Sequence, residues 1–380
     1  MKTLLVILDG AADKKSAFAK AKKPYIDMLA SNSTCGIWSG PQAPNYNPRS
    51  LSSVATLEIL GYSYKDEPGR GYLEALGSGL MPDKSSVYIR GNFAFVKGKK
   101  IVDRRAGRDE KYLDILVREV NKKIKSIDGV KIKLHRLVGH RLVLVISGKG
   151  LSRRVSDGDI GKNIVKIKQL EAKAKKTAKV LNEFIDKSTK ILSNHSSNKK
   201  RRIPANFILL RGPGSYQKVE SFKKKYNMRA CSISGVNIIR GISRYVGIDI
   251  IDTPFSQLEN DLTQRTKKAI EATEKYDFVI LHINGADTYA HNKDFSGKVR
   301  YIEKIDKTVF SRLIKLRHLT IAVISDHMTD SRTGEHVFGH VPFLIYTPEE
   351  NGEYEKIKYS EKACTRFIID NPMKKILSVI

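Results

Sequence analysis

Three apolar runs that each end in acidic or imidazole residues constrain this chain more than any other feature. They are TLLVILDGAAD (3–13), FVILHINGAD (278–287) and LTIAVISDHMTD (319–330). Their aliphatic, β-branched stretches lack polar alternation, the pattern of strands buried on both faces. Helical spacing of apolar residues recurs elsewhere, in GVNIIRGISRYVG (235–247) and DLTQRTKKAIEATEKY (261–276). Strand alternating with helix predicts an α/β fold with a mostly parallel sheet covered by helices. Active sites in such sheets lie beyond the carboxyl ends of the strands. The three polar tips are therefore expected on one edge.

The middle of the chain has a different rhythm. Short alternating runs, SVYIRGNFAFVKGKKIVD and VKIKLHRLVGHRLVLVISGKG, are punctuated by turns at Asp128-Gly129 and Gly148-Lys149-Gly150. A long amphipathic helix is expected from about Asn163 to Leu192. This pattern predicts a smaller α+β domain, 86–202, inserted into a discontinuous larger domain formed by 1–85 and 203–380.

Composition excludes several classes. No apolar stretch approaches the ~20 residues of a membrane helix, and the N-terminal MKTLLVILDG reads as a strand rather than a signal peptide. Cys35, Cys231 and Cys364 are far apart and form no CxxC, which fits a reducing cytoplasm and no cysteine metal site. The formal net charge is +29. The lysines are spread out, and the densest run, Lys199-Lys200-Arg201-Arg202, reads as a solvated loop before Pro204 with no interleaved aromatic residues. Nucleic acid is not expected as the main partner; an anionic small substrate fits the charge at least as well.

The strand tips carry the chemistry. Asp287 and His291 are four residues apart and share a face if the chain turns helical there. Asp326-His327 is an acid–imidazole pair at a strand end, Asp9 ends the first strand, and His336 lies in the loop before VPFLIYT. Carboxylate oxygens with neutral imidazoles suit Mn²⁺, Zn²⁺ or Co²⁺, and two such ions could share this edge. Ser50, Ser52 and Ser53 precede a helical run, where free N–H groups favour an alkoxide and a phosphate. A serine there is more commonly a helix cap.

Over nearly its whole length the sequence resembles the archaeal type of cofactor-independent phosphoglycerate mutase, in the alkaline phosphatase superfamily. The resemblance rests on VILDGAAD, ATLEILGY, GRGYLEALGSGL, GNFAFV, DRRAGR, GHRLVLVISGKGLSRRVSD, NFILLRGPG, KDFSGK, YIEKIDK and VISDHMT. It implies an alkaline-phosphatase-like fold and two divalent metal ions, Mn²⁺ foremost with Co²⁺, Zn²⁺ or Mg²⁺ as alternatives. One ion would take Asp9, Ser52, Asp326 and His327. The other would take Asp287, His291 and His336, with His340 as the fallback to His336. Counting back from Gly61-Tyr62 makes Ser52 the nucleophile, whereas counting forward from Pro41 through Pro44 selects Ser50. The acid and imidazole that the family places beside the nucleophile are Ser53 and Thr56 here, and the acid after the metal-binding Asp is Thr288.

The implied activity is interconversion of 3-phosphoglycerate and 2-phosphoglycerate through a phosphoserine, without 2,3-bisphosphoglycerate. DRRAGR would supply Arg104, Arg105 and Arg108 as clamps and Asp103 as the proton carrier, with Arg70 and Arg240 as further phosphate contacts. RGPGSY (211–216) lacks the lysine and hydroxyl of a P-loop and is expected to be a turn. The alternatives are a phosphatase or mutase for another phosphate ester, or a degenerate member that binds nucleic acid. The resemblance implies a cytoplasmic enzyme with a small-molecule substrate and no membrane partner. A homo-oligomer is left open.

Overall fold

The computed structural model describes residues 2–41, 51–253, 261–316, 318–348, 356–365 and 367–380. The chain forms two compact units, one from residues 1–67 with 219–380 and the other from 68–218. Among the described residues no helix is long and apolar enough to cross a membrane.

The first unit is built on an eight-stranded sheet. Its order is Asp249–Ile250, Ala230–Ile233, Phe278–Ile283, Thr3–Leu8, Thr320–Ile324, Val341–Tyr346, Thr34–Trp38 and Ile368–Ile369. Pairing is parallel except at Val341–Tyr346, which runs antiparallel to both neighbours. All residues of Thr3–Leu8, Phe278–Ile283 and Thr320–Ile324 are buried, as expected for strands covered on both faces. Ile7 pairs with both His282 and Ile324, so the three strands end almost level. The expected helices form at Asn237–Tyr245 and Leu262–Ala272. A short hairpin of Met328–Asp330 with Glu335–Val337 follows the strand Thr320–Ile324.

In the second unit the long strand Ser86–Lys97 pairs antiparallel with Arg141–Ser147, Phe207–Ser215 and Lys100–Asp103. Helices Leu113–Lys123 and Lys175–Asn194 bury Leu116, Val120, Leu181 and Phe184 in the same core as Ile89, Leu144 and Ile208. Helix Arg70–Gly77 packs on Ser86–Lys97 and Phe207–Ser215. It comes so close that a Cβ on Gly71 would stand 2.1 Å from Tyr88 O. The expected boundaries at 86 and 202 thus fall inside this unit. Its sheet needs the strand Phe207–Ser215 as a partner for Ser86–Lys97, and that sheet carries the helix Arg70–Gly77.

Three local expectations are corrected. The helix expected from Asn163 begins only at Lys175; Asn163–Ile164 is a short strand paired with Asp159–Ile160. The RGPGSY segment is no turn, because the strand runs on to Ser215 with its register shifting between Arg211 and Gly214. Pro213 has no N–H to give the ladder, and Gly212 takes φ +55°, so the irregularity falls where the backbone can absorb it.

The third correction concerns the basic run 199–202. Arg201 is buried rather than solvated. Its guanidinium donates to the carbonyls of Ala106, Asp109, Lys111 and Ile203. These carbonyls belong largely to the turn after Asp103, where Ala106, Arg108 and Tyr112 take φ of 45°, 57° and 65°. Non-glycine residues in that region resist it, and the buried fork of Arg201 holds the turn in place. Arg201→Ala is expected to destabilise the protein by about 3 kcal/mol, because four carbonyls, that of Ala106 fully buried, lose their donor at once. Urea unfolding with an unchanged midpoint would show that the turn holds itself.

Candidate active site

The level strand ends of the first unit bring the expected ligands together. Directly after Leu8, Asp9 leaves the sheet and Gly10 turns the chain at φ +57°. Gly10 N–H donates to Asp326 Oδ1 at 2.9 Å, as does His327 N–H at 2.9 Å. Ser325 Oγ accepts from Ala11 N at 3.1 Å and Ala12 N at 3.2 Å, and lies 2.9 Å from Leu8 O. The loop after the first strand is therefore tied to the loop after Thr320–Ile324. Asp326 Oδ2 and Asp9 Oδ1 are buried and accept no hydrogen bond. Both face His327 Nε2, at 3.5 and 3.4 Å. Ser52 Oγ, in the first turn of the helix Leu51–Ile59, is 3.0 Å from the same nitrogen.

A second group adjoins the first. Helix Gly285–His291 starts just after Phe278–Ile283 and carries Asp287 and His291 one turn apart, with His291 Nε2 3.2 Å from Asp287 Oδ2. His336 Nε2 is 3.1 Å from His291 Nε2 and 3.5 Å from Asp287 Oδ1. His291 Nδ1 is 2.7 Å from Gly334 O. That carbonyl can only accept, so Nδ1 keeps a proton, and Nε2, which donates to Asp287, is the nitrogen that could bind a metal once its own proton is lost. The His336 and His327 ring centroids are 4.1 Å apart. His340, the fallback ligand, is exposed, and Ser50 lies outside the described residues.

The electrostatics fit a cation. Burial, with Asp326 and Asp287 nearby, pushes the Asp9 carboxyl well above its ordinary value. Burial also raises Asp326, against the pull of His327. For Asp287, burial pushes upward, but hydrogen bonds from His291 and His336 hold it well below the carboxylate range. The hydrogen bond to Asp287 is the main cause that raises His291 to about 9. Three carboxylates and three imidazoles converge, with buried oxygens that lack donors. Asp287, His327 and His336 offer one set of converging ligand atoms, and Asp9, Asp326 and His327 another. Oxygen and nitrogen donors in such sets suit divalent transition metals.

Several neighbours escaped the sequence reading. His282 is fully buried, with Nε2 3.7 Å from Asp9 Oδ2. Burial and Arg265 push it down to about 3, so it stands neutral behind the site. A histidine inside an otherwise aliphatic strand was the available signal. Thr329 Oγ1 touches both Asp287 and His327, and no spacing rule marks it.

In the second unit, Asp103 accepts from Arg105 N at 2.7 Å and Gly107 N at 3.2 Å, shaping the turn that presents Arg105 and Arg108. Arg104 is bonded to the buried Asp159. Arg70 and Arg90 approach Glu74 at 3.6 and 3.8 Å. Partial desolvation, then Arg108 and Arg141, lower Arg105. Burial and Arg70 lower Arg90, with Arg141 and Arg211 adding to the effect. His140 is pushed to about 4 by burial and by Arg141, Arg105, Arg90 and Arg108. Neighbouring arginines that lower Arg90, Arg105 and His140 form a site with excess positive charge, which an anion would relieve. The sequence pointed to Arg70, Arg104, Arg105 and Arg108. Arg90, Arg141 and Arg211 lie in strands, where alternation reads as surface. Arg240 belongs to the first unit and is paired with Asp252 at 2.6 Å.

The family model for 2,3-bisphosphoglycerate-independent phosphoglycerate mutase matches residues 30–198. The protein of that name numbered 1 in Archaeoglobus fulgidus is 38% identical over 370 residues, covering 91% of this chain and 88% of the relative. The Pyrobaculum aerophilum mutase is 38% identical over 385 residues, covering 96% and 92%. Among solved structures, the cofactor-independent phosphoglycerate mutase of Thermoplasma acidophilum superposes with a TM-score of 0.66 at 27% identity, covering 100% of this chain and 99% of that one. A Pyrococcus horikoshii protein superposes with a TM-score of 0.79 at 25% identity, covering 100% and 96%. The chain belongs to the family of 2,3-bisphosphoglycerate-independent phosphoglycerate mutases.

Proposed function

We propose that this protein interconverts 3-phosphoglycerate and 2-phosphoglycerate through a phosphoserine at Ser52, without 2,3-bisphosphoglycerate. The observation that carries the proposal is the Ser52 hydroxyl at the meeting point of two Asp/His groups, 3.0 Å from His327 Nε2. Asp9, Ser52, Asp326 and His327 would hold one divalent ion and Asp287, His291 and His336 another, with Mn²⁺ best matched to these donors. Such ions supply Lewis acidity toward phosphoryl oxygens and lower the pKa of the serine hydroxyl.

The chain's own residues do the rest. Ser52 sits in the first turn of a nine-residue helix, where free N–H groups favour negative charge. Its Oγ, once deprotonated, forms a bond to phosphorus as the bond from phosphorus to the C3 oxygen breaks, and the departing C3 alkoxide takes its proton from Asp103, which takes one back from the 2-hydroxyl in the next step. Arg105, Arg108, Arg104 and Arg70, with Arg90 and Arg141, bind the carboxylate and phosphate and keep the freed glycerate from escaping. Glycerate then reorients, its 2-hydroxyl loses a proton and attacks phosphoserine, and Ser52 leaves. Asp103 is the proposed proton carrier. Arg240 is left out of this scheme, because it belongs to the first unit and not to the arginine cluster of the second. The burial of Arg201 takes one charge out of the densest basic run, so the nucleic-acid alternative loses its best segment.

Ser52→Ala should eliminate turnover in an enolase-coupled assay without bisphosphoglycerate. Ser53→Ala should retain much of it, since Ser53 is buried and its hydroxyl donates to Glu67 at 3.3 Å. Ser50→Ala should also stay active. Activity that survives in Ser52→Ala and vanishes in Ser50→Ala would move the nucleophile to Ser50. Inorganic phosphate released as fast as isomerisation would make the protein a phosphatase.

Chelation should abolish activity and Mn²⁺ should restore it. Because the hydrogen bond to Asp287 raises His291 to about 9, it carries a proton at neutral pH that an ion must displace. Each pH unit below about 9 should therefore weaken metal binding about tenfold for that one proton, and the dependence should flatten above it. Calorimetry in buffers of different ionisation enthalpy measures the proton released. Binding without proton release at pH 7 would remove His291 from the ligand set.

Arg105→Ala should cost about 2–4 kcal/mol of transition-state stabilisation with the fold intact, as Arg105 is exposed. An unchanged kcat/KM would make it ordinary surface.

A further inference from the structure

Thr329 has no acid–base chemistry of its own, yet its hydroxyl touches both metal-ligand sets. Its Oγ1 donates to Asp287 Oδ1 at 2.9 Å and lies 3.1 Å from His327 Nδ1. A hydroxyl has a single proton. An ionised carboxylate can only accept, so that proton goes to Asp287, and His327 Nδ1–H must donate to the Thr329 oxygen. We infer that Thr329 is a positioning residue that fixes the His327 tautomer and at the same time orients Asp287, so that both metal centres depend on one hydroxyl. The inference rests on the two-metal reading above and deepens it.

The surrounding geometry supports the assignment. With Nδ1 protonated, His327 Nε2 presents its lone pair to the space shared by Ser52 Oγ, Asp9 Oδ1 and Asp326 Oδ2, at 3.0, 3.4 and 3.5 Å. On the other side, Asp287 Oδ1 is also 3.5 Å from His336 Nε2. Thr329 pairs directly with His336 across the short hairpin. Room for the bridge is made by Gly10. A Cβ there would lie 2.7 Å from Thr329 Oγ1 and 2.6 Å from Asp287 Oδ1, which any other residue would displace. The Thr329 backbone is fixed independently of its hydroxyl. Its N–H donates to Ala12 O at 3.1 Å, and its carbonyl accepts from Lys298 Nζ at 2.9 Å. A β-branched residue also suits a strand, so valine can replace threonine there without loss of the fold.

The test is Thr329→Val, which keeps the shape and removes the hydroxyl, beside Thr329→Ser, which keeps the hydroxyl. Full-length protein, stripped by chelation, is titrated with Mn²⁺ by calorimetry. Wild type and Thr329→Ser should bind two ions with similar affinities. Thr329→Val should weaken both ions by about 10- to 100-fold, the range for loss of an outer-shell partner, although Thr329 is a ligand to neither. In Zn²⁺-loaded, ¹⁵N-histidine-labelled protein, a hydrogen-bonded His327 Nδ1–H should be visible in wild type and Thr329→Ser, and lost to exchange in Thr329→Val. Wild-type affinity at both ions in Thr329→Val would overturn the inference. So would a wild-type spectrum without a protected His327 Nδ1–H, which keeps the test decisive should the valine variant not fold. A wild-type protein that binds no ion would instead overturn the two-metal reading.

Discussion

A buried ammonium anchors the edge of the first unit where the Asp and His side chains converge. Lys298, on the helix Phe295–Ile305, is fully buried, and its ammonium donates to Ala12 O, Asp13 Oδ2 and Thr329 O at 2.9, 3.0 and 2.9 Å. Three protons meet three acceptors, so the charge is paired and its hydrogen bonding is complete, the condition under which a buried charge can be tolerated. The same Asp13 oxygen also accepts from Ser331. The loop that follows Asp9 and the loop that follows His327 are thus drawn to one point. Carboxylates that repel one another as like charges are held together by a network behind them.

Much of the frame was legible because burial on both faces leaves a direct trace in sequence. Val279–Leu281 or Leu4–Ile7 cannot be anything but interior, and Asp9, Asp287 and Asp326 mark where the interior stops. The i, i+4 spacing of Asp287 and His291 then needs only one turn of helix. Ser325 and Thr329 are different. Serine and threonine are common at strand ends, and their importance comes from hydroxyls that meet backbone and ligands distant in sequence. That information is three-dimensional and has no local pattern.

The second unit shows the same limit from the charged side. Arg201 stands in a run of four basic residues, and composition alone assigns such a run to solvent. Its burial depends on carbonyls some ninety positions earlier. Arg90 and Arg141 occupy strand positions where alternation predicts exposure, yet Arg90 is largely desolvated among other arginines. The RGPGSY segment failed for a related reason. Glycine and proline usually mark turns, but here they mark a bulge in a strand that continues.

The turn after Asp103 has a thermodynamic consequence for ligand capture. Ala106, Arg108 and Tyr112 hold left-handed backbone, a conformation that costs on the order of 1–3 kcal/mol for each non-glycine residue. Arg201 and Asp103 offset that cost when the chain folds, before any anion arrives. Arg105 and Arg108 are therefore presented on backbone whose entropy has already been lost, and in the proposed role as clamps an arriving anion would have only side chains to order. A looser turn would relieve the backbone and shift the ordering to the binding step, where it would appear as weaker capture of the same ligand.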